Sequence, residues 1–266
     1  RVVNTFKLFA ELIALQLDNE RSHDRARAEL LDEQRTGELR EQFIAVLGHD
    51  LRNPLAAIAA CSQLLQRKAG DAAMIATLGG RIETNVRRMS ILIDDVLDFA
   101  RGRLGSGIVV HAELVSDLDE ALAAVVTELR DGHPARLIEA AIEVRRPVRC
   151  DRSRIQQLVS NLLANALVHG AQDRPVRVRA GIDAEALVIE VWNAGEPIPP
   201  ASIDRIFAPF WRHSTSARRE GLGLGLHISE QIVKAHGGTL TVSSGHDEGT
   251  RFSASLPLDA ATPTAA

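Results

Sequence analysis

The sequence predicts an α+β fold: a long N-terminal helix running into an antiparallel helical hairpin, then a layered α/β sandwich domain. Three observations carry this. Residues 1–42 are charged, helix-favouring and free of proline, and residues 43–101 place apolar side chains at helical spacing. Gly102 to Gly107 holds three glycines and marks a boundary. Beyond it, strand-like and helical stretches alternate irregularly, which suits an α+β layer fold better than a regular βα repeat.

In the first segment, Phe6, Leu8, Phe9, Leu12, Ile13, Leu15 and Leu17 give an apolar face, which thins after Asn19 to Ala26, Leu30, Leu31 and Leu39. A helix with so thin a stripe is hard to stabilise alone, so pairing with a second helix is expected. Residues 43–69 continue as an amphipathic helix through Phe43, Val46, Leu47, Leu51, Ile58 and Leu65, and Ala69-Gly70-Asp71 interrupts it. Residues 73–101 form the second arm, with Ile75, Leu78, Ile82, Val86, Met89, Ile93, Val96 and Ala100 on one stripe. Ile91, Leu92 and Leu97 are left over, and a hairpin with surplus apolar surface tends to dimerise into a four-helix bundle.

After the glycines, Asp117 to Arg130 reads as a helix capped by Ser116 or Asp117. Ile138 to Val144 and Val148 to Cys150 read as strands, and Asp151 caps a helix running to about His169. Val176 to Ala180 and Ala186 to Trp192 are strands, Gly221 to His236 a helix entered through glycines, and Thr239 to Ser243 and Thr250 to Leu256 closing strands. The expected domains are therefore 1–42, 43–105 and 106–260, with 261–266 a disordered tail.

Composition narrows the function. With 45% hydrophobic and 25% charged residues the chain is ordinary for a soluble globular protein. A net charge of −4 argues against nucleic acid or an anionic membrane surface as partner. No apolar run approaches the ~18 residues that span a bilayer, and there is no signal peptide. The two cysteines, Cys61 and Cys150, read as small buried hydrophobes, which fits a reducing, cytoplasmic compartment. The chain begins at Arg1, so a piece of a longer protein is expected.

Five motifs occur in a fixed order: His49-Asp50-Leu51-Arg52-Asn53-Pro54, Asn161-Leu162-Leu163-Ala164-Asn165-Ala166, Asn193-Ala194-Gly195, Phe207-Ala208-Pro209-Phe210, and Gly221-Leu222-Gly223-Leu224-Gly225-Leu226. This series resembles the phospho-acceptor, Asn, first Gly, Phe and second Gly motifs of bacterial sensor histidine kinases, over residues 36–258.

The chemistry of the residues fits. Imidazole, with an ordinary pKa of ~6.5, is largely neutral at pH 7, so a ring nitrogen of His49 is available to attack phosphorus. Asp50 can hold the proton on the opposite nitrogen, and Asn53, four residues on, shares the face of His49. Pro54 cannot donate to the carbonyl of Asp50 and is expected to bend the helix. The resemblance implies that His49 accepts the γ-phosphoryl of ATP and passes it to a response-regulator aspartate, with Asn53 positioning water for dephosphorylation.

It further implies that Asn161 ligates Mg²⁺, that Asn165 contacts the phosphates with His169 near them, and that Gly221, Gly223 and Gly225 bring backbone to the nucleotide at a helix N-terminus. Residues 211–220 read as a lid, with Arg212 placed to reach the γ-phosphate. Asn193 stands where the family has Asp for the adenine amino group; its oxygen can still accept, without charge assistance. Pro197 replaces the usual second Gly, and Val168 stands where Lys or Arg is frequent. The expected assembly is a homodimer with a GAF- or PAS-type sensor upstream, since residues 1–20 resemble the closing helix of such a domain. Two alternatives stay open: a phosphatase-dominant protein, and an ATP-binding dimeric scaffold without chemistry.

Overall fold

The computed structural model describes residues 27, 47–48, 50–66, 72–101, 108–211 and 222–258. The expected helix over 1–42, the break at 69–71, the glycine linker and the tail lie outside the described residues, Arg27 excepted. Residues 1–52 and 53–266 form two compact units.

Residues 50–66 are helical (α1), and the helix continues through Pro54. Helix α2, Ala72–Arg101, has 30 residues and is about 45 Å long at 1.5 Å per residue. Its apolar stripe is used differently from the expectation. Leu78 and Leu92 are buried, whereas Ile75, Val86, Ile91, Ile93 and Leu97 are exposed. The C-terminal end of the helix docks on the layered domain. Leu92 lies about two turns before Phe99 and shares its face. Phe99 packs edge-on against Phe210 at 5.0 Å and His227 at 6.0 Å between ring centroids. Beside it, Asp98 Oδ2 accepts from Arg154 at 2.6 Å and from Gln157 Nε2 at 2.9 Å. Both members of this ion pair are largely buried, so removing one strands the other away from water. Burial and the charges of Asp98 and Asp94 push neighbouring Asp95 up to about 7.

The layered domain follows. Strand β1 (Glu113–Val115) pairs antiparallel with β3 (Val148–Cys150). Helix α3 (Leu118–Gly132) precedes β2 (Ile138–Glu143), and α4 (Arg152–His169) follows β3. Strands β4 (Val176–Asp183) and β5 (Ala186–Asn193), the short α5 (Pro200–Ile203), α6 (Gly225–Ala235), β6 (Thr239–Gly245) and β7 (Gly249–Pro257) complete it. The main sheet has the order β2-β4-β5-β7-β6, with β2 and β4 parallel and the other pairs antiparallel.

Strict alternation builds the core. Val176, Val178 and Ala180 of β4, Leu187, Ile189 and Val191 of β5, and Phe252, Ala254 and Leu256 of β7 all turn inward. Helix α4 lies at the centre, with Ile155, Leu158, Val159, Leu162, Leu163 and Ala166 fully buried. Each such large aliphatic side chain stabilises the fold by about 1.5–3 kcal/mol. Both cysteines are buried and free, and burial pushes the Cys150 thiol up to about 11.

Several boundaries differ from expectation. Asp117 does hold the N-cap position of α3, but makes no side-chain capping bond; its carboxylate instead binds Arg152 at 2.9 Å. Strand β4 runs on to Asp183, past the expected Ala180. Helix α6 starts at Gly225, not Gly221, because Gly223 sits at φ +69 and breaks helical geometry. Strand β1 and helix α5 were not anticipated: three and four residues are too few to show a period.

The N-cap of α4 behaves as expected and does more. Asp151 accepts from the backbone N–H of His111 and Arg154 and from the Ser153 hydroxyl. Burial opposes its ionisation, but these donors and Arg154 hold its carboxyl below the usual range. Its own N–H donates to Nε2 of buried His236, whose Nδ1 therefore carries the proton and donates to the carbonyl of Ile232. A depressed carboxyl stabilises above its unfolded pKa and loses that contribution as pH falls through the folded one. Asp151→Ala is expected to cost about 1–2 kcal/mol at neutral pH. The deficit relative to the parent should shrink on acidification below pH ~4, which denaturant unfolding at several pH values checks.

Candidate functional site

Helix α4 carries Asn161 and Asn165 one turn apart, both half-buried. Asn161 Nδ2 donates to the carbonyl of Gly225 at 3.3 Å, joining the Asn motif to the second Gly motif. A Cβ on Gly225 would lie 3.7 Å from Asn161 Cγ, so α6 begins directly against this amide. Because the nitrogen is committed to a carbonyl, Oδ1 is the atom left to accept or ligate. Asn165 makes no side-chain hydrogen bond among the described residues, and His169 is exposed at the end of α4.

The entry to α6 is set by backbone. Gly223, at φ +69, packs so closely that a Cβ would meet the Trp211 carbonyl at 2.9 Å. The Gly223 carbonyl accepts from the N–H of Phe210, itself at φ +61. The Phe motif thus pins the segment that leads into the N-terminus of α6. His227 Nδ1 contacts the carbonyl of Phe207 at 3.0 Å; burial lowers its pKa, and that bond works in the opposite direction.

Strand β5 delivers Asn193, 3% exposed, at its C-terminal end. Gly195 follows under tight packing: a Cβ there would lie 2.8 Å from the carbonyl of His169. The first Gly motif is therefore fastened to the end of the Asn-motif helix. Sequence reasoning missed two neighbours. Thr250 lies cross-strand from Asn193, and its hydroxyl is 2.7 Å from that of Ser244, which accepts from the N–H of Ile198. In the sequence Thr250 reads only as the start of a closing strand. Ser244 carried no signal.

The fold therefore brings Asn161, Gly223 and Gly225 together at the middle of α4, and seats Asn193 and Gly195 at its C-terminal end. His49, Arg212 and Gly221 lie outside the described residues. Asp50 is helical and buried, and Asn53 is helical and exposed. Among the described residues no group of three or more His, Cys, Asp and Glu is arranged to hold a metal ion. The Asn161 amide oxygen is a donor of the kind Mg²⁺ takes beside phosphate oxygens and waters. A concavity of about 430 Å³ on the opposite face of the sheet is a different feature. Its arginines are already paired, Arg177 with Glu139 at 2.9 Å and Arg179 and Arg251 with Glu190 at 3.8 and 3.9 Å.

Two family models match the chain in succession. The His Kinase A (phospho-acceptor) domain matches residues 39–105, and the histidine kinase-, DNA gyrase B-, and HSP90-like ATPase domain matches residues 150–260. The chain belongs to the bacterial sensor histidine kinases. The second match shows that this sensor-kinase chain carries an ATP-binding domain. The probable sensor histidine kinase TcrY of Mycobacterium tuberculosis is 36% identical over 227 residues, 84% of this chain and 46% of that protein. A bacteriophytochrome of Pseudomonas aeruginosa is 33% identical over 222 residues, 83% of this chain and 30% of that protein. Full-length ShkA, solved in complex with AMPPNP, superposes with a TM-score of 0.58 at 26% identity, covering 82% of this chain and 46% of that one. The chain thus spans less than half the length of each of these relatives. No helix among the described residues is long and apolar enough to cross a membrane.

Proposed function

We propose that this chain is the signalling core of a sensor histidine kinase, which moves the γ-phosphoryl group of ATP to an imidazole nitrogen of His49 and then to a response-regulator aspartate. The observation that carries the reading is the bond from Asn161 to the Gly225 carbonyl, which unites two separate nucleotide motifs at a helix N-terminus. The bound AMPPNP of ShkA supports the same ligand class. Residues 1–42 would be the signalling helix, 43–105 the dimerisation and phosphotransfer domain, and 106–260 the ATP-binding domain.

In the transfer, a neutral ring nitrogen of His49 forms the new N–P bond. The bond from the γ-phosphorus to its bridging oxygen breaks, and ADP leaves with the electron pair. Asp50 accepts a hydrogen bond from the opposite ring nitrogen and stabilises the positive charge that develops there. Asn161 would hold Mg²⁺ through Oδ1, Asn165 and His169 would contact the phosphates, and Arg212 would reach the γ-phosphate from the lid. Mg²⁺, when bound, offsets the charge of the phosphates. Asn193 would accept from the adenine amino group, and Gly195, Gly221, Gly223 and Gly225 would let the backbone approach the nucleotide. Positioning and charge neutralisation are most of the catalytic task.

The exposed apolar residues Ile75, Val86, Ile91, Ile93 and Leu97 of α2 support a homodimeric four-helix bundle. A GAF- or PAS-type sensor upstream and a cytoplasmic location complete the reading. Net phosphatase output is the second reading, favoured by the exposed amide of Asn53. The test is to label the chain with γ-labelled ATP and Mg²⁺, remove the nucleotide and add a receiver domain. Label should appear in the chain and then leave it for the receiver. A chain that binds ATP but never takes label contradicts the kinase reading.

A further inference from the structure

Close to the C-terminal end of β5, which carries Asn193, lies a buried cation. Arg136, in the loop before β2, is 7% exposed. Its Nη1 donates to the carbonyl of Ala171 at 2.7 Å, while Nε and Nη2 are buried without a hydrogen-bond partner among the described residues. No carboxylate among those residues pairs with it. A guanidinium has five donors, and leaving several of them unmade out of water is costly, so the placement needs a reason.

Its surroundings supply one. A Cβ on Gly170 would lie 3.0 Å from Arg136 Nη2 and 3.1 Å from Asn193 Cβ, so the guanidinium and residue 193 converge on one glycine. A relay of bonds joins them as well. Arg136 holds the Ala171 carbonyl, and the Ala171 N–H donates to the Ala194 carbonyl at 2.7 Å. That carbonyl also accepts from Asn193 Nδ2 at 3.2 Å. A carbonyl oxygen can only accept, so the amide nitrogen must face it and Oδ1 is turned the other way.

We propose that Arg136 is a positioning residue for nucleobase readout, holding the Asn193 amide through Ala171 and Ala194 with its oxygen presented to the amino group of adenine. Its unpaired charge also explains why a neutral amide stands at 193. A carboxylate there would meet the uncommitted donors of Arg136, form a charge-assisted pair and turn from the base. The amide is not captured. Its oxygen accepts from an amino group and opposes a carbonyl at the same ring position, which selects adenine over hypoxanthine or guanine. This inference rests on the nucleotide-site reading above.

The test measures equilibrium binding of ATP and inosine triphosphate to the chain, together with thermal melting without nucleotide. The parent should prefer ATP by about tenfold, the value of one hydrogen bond of ~1.4 kcal/mol. Asn193→Asp should melt higher, bind ATP about tenfold more weakly, and lose most of its preference over inosine triphosphate. Adding Arg136→Met to Asn193→Asp should restore the preference, because the carboxylate is released to the base. Asn193→Asp alone keeps Arg136 and decides the matter if the double variant does not fold: tighter ATP binding in it overturns the proposal. Effects of the two substitutions that simply add would overturn it too. Binding of ATP with no preference over inosine triphosphate in the parent overturns this inference alone, whereas binding of neither nucleotide overturns the site reading and this inference with it.

Discussion

Replacing His49 with Gln is expected to reduce labelling from γ-labelled ATP to background while leaving nucleotide affinity within about twofold. Gln keeps a polar side chain on the helix but has no nitrogen basic enough to attack phosphorus, so the acceptor disappears. The proposed nucleotide contacts come from α4, the segment before α6, and the end of β5, none of which includes residue 49. The two readouts therefore separate. Binding is followed with a fluorescent ATP analogue and transfer by label retained in the protein. Label persisting in the variant places the acceptor elsewhere, and binding lost with it shows that the substitution unfolded the chain.

Asn161→Ala is expected to weaken MgATP binding by on the order of tenfold or more, with little effect on ATP measured in chelator, because the amide oxygen proposed as the Mg²⁺ ligand is removed. The variant also loses the bond to the Gly225 carbonyl, which is worth about 1 kcal/mol of stability. Asn161→Asp separates the two roles. It keeps an oxygen for the cation, yet places a carboxylate against a carbonyl where a donor is required. Calorimetry with and without Mg²⁺ reads both. Equal losses with and without the cation would show that Asn161 matters only as the clasp between α4 and α6.

Much of this site was legible because its residues sit at fixed offsets within single elements. Asn161 and Asn165 are four apart on one helix, and the Gly221–Gly225 run immediately precedes another. The alternation of β4, β5 and β7 fixed which side chains turn inward, and Asp151 announced the start of α4. What the sequence did not disclose depends on contacts between distant segments. Nothing local says that His236 serves the backbone of Asp151 as well as ending α6, or that Arg136 lies close to Asn193. Leu92 was assigned to the surplus strip of α2 because the period of one helix does not show which of its faces a distant segment covers. The Gly-rich entry to α6 looked helical from Gly221 because glycine runs carry no period, and only the positive φ of Gly223 shows where the helix cannot begin.

The central claim is that a nitrogen of His49 takes the γ-phosphoryl group. The measurement that tests it most directly is the chemical stability of the label combined with mapping of the labelled peptide. The chain is incubated with γ-labelled ATP and Mg²⁺, split into halves, and held in acid or in alkali before digestion. A phosphoramidate on His49 predicts label lost in acid, retained in alkali, and confined to the peptide that contains His49. Label that survives acid, or that maps to a serine or threonine, would contradict the account.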